Sequence, residues 1–181
     1  MTDGVRLPSA MFKSITTIAH LFDTETTDIT ITLMKWRGSG LPWTSQAVAE
    51  RLLQCPEIWA ARDLAKRKPP QLYKDGRAVR GTCVPSVVYQ RGILLALYAV
   101  GNRDRKDNVI ERVAGVLSEH FSFVDRSPIP SNPDEPRYVN HIRQARRELA
   151  EWGRIYSKDV SGYWELAPRG VQAAILLSLI H

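Results

Sequence analysis

Long hydrophobic runs are missing from this chain. No apolar stretch approaches the roughly 18 residues that a membrane-crossing helix needs, so no membrane is expected among its partners. The opening, MTDGVRLPSAMF, lacks the basic-then-apolar order of a secretion signal. Cysteine is scarce as well. Cys55 and Cys83 stand alone, without a disulfide framework or paired metal-ligand spacing. Together these absences point to a reduced, cytoplasmic chain. Internal repeats and low-complexity tracts are absent. So are a phosphate-binding Gly-rich loop, a Ser nucleophile elbow and a locally supported Cys–His arrangement. His20, His120, His141 and His181 are scattered, which excludes a His–Asn–His nuclease motif. No metal and no cofactor is expected, and whether the chain is an enzyme stays open, since no catalytic motif occurs in it.

What is present is a basic balance. Among 181 residues, 25 Lys and Arg face 19 Asp and Glu, a net charge of +6. Such a balance points to DNA, RNA or an anionic surface as large partners. The length suits one medium domain or two small ones.

The periodicity divides the chain into three parts. Residues 1–66 read as a small mixed α/β module. A helix from Ser9 to about Phe22 precedes the strand TDITITLMKW, in which Ile29, Ile31 and Leu33 alternate with polar residues. LPWTSQAVAERLLQC then reads as a helix capped by Thr44 or Ser45, with Val48, Leu52 and Leu53 inward. Pro56 suits the first turn of the next helix, PEIWAARDLAKR. That pair fits a DNA-reading helix-turn-helix or any small helical pair. Residues 67–84 are a basic linker or hairpin, with a tight turn at Asp75–Gly76. They would join two modules or lie along a phosphate backbone.

Residues 85–181 open with an oily helix, SVVYQRGILLALYAVG, carrying Val88, Ile93, Leu94, Leu97 and Tyr98 and stopped by Gly101. Arg103 to Ser118 reads as a second helix, with Val109, Ile110, Val113, Val116 and Leu117 as its seam. FVDRSPIPSNPDEPR carries too many prolines for a helix interior and reads as a surface loop, either ordered or flexible. RYVNHIRQARRELAEWG is the third helix. At about 100° per residue, Ile142, Ala145, Leu149 and Trp152 share one sector, and Asn140, Arg143, Gln144 and Arg147 the opposite one. A hairpin follows in RIYSKDVSGYWEL, with Lys158 near its tip, and Pro168 starts a last apolar helix.

Three helices followed by a β-hairpin is the layout of a winged helix, whose third helix reads the major groove. The whole chain is expected to be α+β and mostly helical, with a winged helix-turn-helix in its C-terminal half. Arg can bond bidentately to guanine, and Asn or Gln to adenine. The third helix is therefore the candidate reader, and Lys158 a candidate phosphate contact.

Four pieces in order carry a resemblance to a family: PSVVYQRGILLALYAVG, RKDNVIERVAGVLS, YVNHIRQARRELAEWGRI and SGYWELAPRG. Over residues 85–174 the chain resembles the N-terminal winged-helix domain of Mrr-type restriction endonucleases. The resemblance implies a DNA-recognition module of a restriction system, often directed at modified bases, with double-stranded DNA as partner. It places Asn140, Arg143 and Arg146 at polar and basic motif positions. The wheel sets Arg146 on the flank, where a phosphate contact or an intramolecular ion pair is expected. His141 and Arg137 complete the candidate DNA-binding set. Gln144 stands where the family often has Trp, and Ala167 where it often has Thr. The family's spaced Asp…Glu-x-Lys metal pattern is absent, so cleavage would come from another domain or a nuclease subunit. A second copy of the chain, as a homodimer, is a further open partner. A stand-alone winged-helix transcriptional regulator and a protein-interaction domain are the alternative readings.

Overall fold

A computed structural model of the chain describes residues 45–67, 73–74, 77–78, 82–157 and 162–178. The helix expected over residues 9–22, the strand over 27–36, the Thr44 cap and the tip residue Lys158 lie outside them. In chain order the elements are α1 (Ser45–Leu53), α2 (Pro56–Ala65), β1 (Tyr73–Lys74), β2 (Arg77–Ala78) and α3 (Ser86–Ala99). Then come β3 (Arg103–Arg105), α4 (Lys106–Leu117), α5 (Phe123–Arg126), β4 (Pro128–Ile129) and β5 (Asn132–Pro136). The last three are α6 (Arg137–Glu151), β6 (Tyr163–Glu165) and α7 (Pro168–Ser178). The fold is α+β and mostly helical, with short antiparallel strand pairs.

α3 sets the packing because it has no solvated stripe. Every residue from Val88 to Tyr98 is buried, and a helix apolar on all sides has to be surrounded. α1, α2, α4, α6 and α7 all pack on it. Its two buried polar side chains tie down neighbours. Arg91 donates to the Trp59 carbonyl at 2.7 Å and to Asp63 at 2.6 Å, both on α2. Gln90 and Ser86 both donate to Glu148 on α6. Val48, Leu52 and Leu53 of α1 face inward as their spacing predicts, and join one continuous core with α3, α4, α6 and α7. The helices on either side of residues 67–84 therefore share a core. Within that segment β1 and β2 are antiparallel, with Tyr73 opposite Ala78 and Lys74 opposite Arg77; the expected turn at Asp75–Gly76 lies outside the described residues.

Two expectations for the second half need correction. Arg103–Arg105 is not the start of a helix but a strand, antiparallel to β6, with Arg103 opposite Glu165. Ile155 bridges Leu166 on the other side of the same region, and Tyr156 N–H donates to the Glu165 carbonyl. β6 thus lies between β3 and the segment leaving α6. The proline-rich stretch, expected as a loop, carries regular structure. Ser122 and Asp125 form a reciprocal capping box that starts the single turn of α5, and β4 and β5 then pair as a hairpin.

α6 ends in a Schellman motif. Gly153, at φ +65°, donates to the Ala150 carbonyl, and Arg154 N–H donates to Leu149. Trp152 is consequently the cap and not part of the buried seam. It is 51% exposed, with the Arg154 guanidinium 5.3 Å from its ring centroid. Gly170, in the first turn of α7, allows that helix to press on the same corner. A Cβ there would sit 1.8 Å from the Arg154 carbonyl oxygen.

Candidate nucleic-acid interface

α6 is amphipathic because its apolar residues recur at the helical period. Ile142, Ala145 and Leu149 have no exposed surface, and burying the two larger ones contributes about 1.5–3 kcal/mol each. These anchors fix which side faces outward. Gln144 and Arg147 are exposed, and Arg147 donates to the Gln144 side-chain oxygen at 3.4 Å. Asn140 and Arg143 are half-buried on the same strip. The four residues grouped by the wheel therefore share one face of a helix that cannot rotate without exposing its seam.

Arg143 carries a partner that the periodicity did not reveal. Its Nη1 lies 2.6 Å from both carboxylate oxygens of Glu135 on β5. The only sequence sign of this is an acidic pair, Asp134–Glu135, just ahead of a basic helix. Between α4 and α6, beside Arg143, lies a groove of about 490 Å³ lined partly by Glu111, Phe121, Tyr138 and Arg143. Phe121 and Tyr138 stack at its base, 4.6 Å between centroids.

Arg146, Arg137 and His141 point elsewhere. Arg146 is buried and donates to the carbonyls of Tyr156 at 2.9 Å and Ser157 at 3.4 Å. It takes an intramolecular role, with these carbonyls among its partners. The contact ties α6 to the segment that returns to β6. Arg137 is half-buried at the start of α6, and its backbone N–H donates to the Ser127 carbonyl. The His141 ring packs edge-on against Tyr89, 6.0 Å between centroids.

His141 also belongs to a polar nest beneath the first turns of α6. One ligand atom each from Cys83, Asp125 and His141 lies within 4.8 Å of the others. Asp125 is fully buried. It accepts from Ser122 N–H and Oγ at 2.8 Å, Val84 N–H at 3.0 Å and Arg67 at 3.2 Å. Burial pushes the Cys83 thiol above its ordinary range, and the neighbouring Asp125 charge adds to this. Burial lowers the His141 imidazole, with Asp125 opposing and Arg137 reinforcing the shift. A protonated thiol beside a neutral imidazole is the wrong state for a thiolate nucleophile. The trio is no activated cysteine. It was illegible in the sequence because its members come from three separated segments; the Ser122-x-x-Asp125 cap was the one readable sign.

Comparison with protein-family models, with curated proteins and with solved structures returns no match for this chain. Among the described residues, no helix is long and apolar enough to cross a membrane.

Proposed function

We propose that this chain is the DNA-recognition part of a restriction system, reading double-stranded DNA through a winged helix, with cleavage supplied by another domain or subunit. The observation that carries this reading is the outward strip of α6. Asn140, Arg143, Gln144 and Arg147 are side chains suited to base edges and phosphates, on a helix locked by Ile142, Ala145 and Leu149. The succession α3, β3, α4 and α6, with α5 and the β4–β5 hairpin inserted before α6 and the Ile155–Leu166 bridge beside β6 after it, supports the winged-helix assignment. β6 and residues 155–157 would form the wing. The net charge of +6 and the four pieces that resemble the Mrr-type domain point the same way.

In this reading Arg143 is held ready by Glu135 and passes from that carboxylate to a guanine edge or a phosphate on binding. Arg146 acts indirectly, by fixing the wing to the reading helix. A gel-shift panel at low salt with plain, methylated and hydroxymethylated duplexes tests the proposal. A preference for a modified duplex is the expected result. Preference for one unmodified operator would instead favour a stand-alone regulator, and no binding to any duplex would overturn DNA reading altogether.

A further inference from the structure

The nest under α6 plays no part in the proposed DNA reading, and its chemistry is that of a metal site. Cys83 stands in the segment leading into α3, Asp125 on α5 and His141 on α6, so a shared ligand would join three parts of the chain. Cys83 and His141 are only partly buried, which leaves a path from solvent. Asp125 Oδ2 is occupied by Ser122 and Arg67. Oδ1 accepts the Val84 N–H, which takes one of its two lone pairs.

The space is walled by Tyr89, which is wholly buried and whose hydroxyl neighbours Asp125 and Cys83. A water held by a bound ion would give that hydroxyl a second partner beside Asp125.

We propose that Cys83, Asp125 and His141 bind one zinc ion, with a water molecule as fourth ligand facing the Tyr89 hydroxyl. Thiolate and imidazole together select zinc over magnesium or calcium. Thiolate and carboxylate also neutralise the ion, so Arg67 and Arg137 nearby do not oppose it. On binding, the Cys83 S–H bond breaks and a Zn–S bond forms, the proton passing to buffer. The ligand that gives up a proton is the Cys83 thiol, so proton release accompanies zinc binding. With Zn–N of about 2.0 Å and Zn–S of about 2.3 Å, ligand atoms stand roughly 3.5 Å apart. The three atoms, within 4.8 Å of one another, close on the ion by about an ångström, by rotation of the His141 ring and a small shift of the Cys83 segment. The ion would pin the start of α6 to the chain entering α3.

The test uses the full chain, stripped with chelator and titrated with zinc, then with cobalt(II). One zinc per chain, a higher thermal midpoint, proton release and a thiolate-to-cobalt charge-transfer band are expected. The band should vanish in Cys83→Ala and His141→Ala and persist in Cys55→Ala. A folded wild-type chain that binds neither metal would overturn the proposal, and so would a band that survives Cys83→Ala. The wild-type titration decides by itself, so a variant that fails to fold does not rescue the proposal or sink it. DNA binding is measured separately, so the two proposals fail independently.

Discussion

The two sides of α6 handle charge in opposite ways. Outside, Arg143 and Arg147 each lean on a neighbouring side chain that solvent or a ligand could replace, Glu135 and Gln144. Inside, Asp125 is gripped by two backbone N–H groups, a hydroxyl and a guanidinium, and Arg146 by two carbonyls. A buried charge is tolerated only when several fixed groups replace its water. A surface charge keeps its water and stays available. Availability for a partner is therefore a property of the outer strip, whereas the inner groups are committed to architecture.

The contrast can be broken most severely from within. Asp125→Ala, in chelator so that no metal contributes, should cost about 3–5 kcal/mol in urea unfolding, because Arg67 and the N–H groups lose their acceptor together. Arg146→Ala should cost about 1–3 kcal/mol, since it removes a buried side chain and its bonds to the Tyr156 and Ser157 carbonyls; hydrogen exchange around Tyr156 should accelerate. Trp152→Ala should change stability by less than about 1 kcal/mol, the range of an exposed cation–π contact. The apolar wheel alone would have set that loss at about 3–5 kcal/mol, as for a buried ring.

On the outer strip the readout shifts from stability to binding. Arg143→Ala and Arg147→Ala should leave unfolding within about 0.5 kcal/mol of the parent. For a pure phosphate contact, affinity should fall uniformly across duplexes and the salt slope by about 1. Loss of preference among duplexes would instead mark a base-reading role. Glu135→Gln should have the smallest effect, a rise in affinity of about two- to five-fold at low salt, the equivalent of one partly exposed ion pair. A fall in affinity would show that Glu135 helps to read DNA rather than restrain Arg143.

Periodicity exposed the helices well, because α3, α4 and α6 bury residues at regular spacings. Val109, Ile110, Val113 and Leu117 are buried as expected while Val116, from the same expected seam, is half-buried, and Pro56 and Pro168 begin helices. It failed where structure depends on distant pairing or on an end effect. β3 reads Arg-Asp-Arg, with no apolar alternation, and becomes a strand only because β6 lies beside it. Trp152 fits the wheel of Ile142, Ala145 and Leu149, but the chain leaves the helix one residue earlier, and Gly153 reverses it. The outer strip of α6 was legible because a helical wheel is local. Glu135 and the nest beneath were not, since proximity between separated segments leaves no mark in spacing.

The pairing of β3 with β6 also sets a timetable. During synthesis Arg103–Arg105 leaves the ribosome well before Tyr163–Glu165, and it has no other strand partner among the described residues. The helices between them can form as they emerge, from local contacts, whereas this long-range closure waits for the far segment and is slow for that reason. The nascent chain therefore carries Arg103–Arg105 as an unpaired, charged segment through most of the making of its C-terminal half. Its three charged residues disfavour strand pairing with a neighbouring polypeptide in that interval.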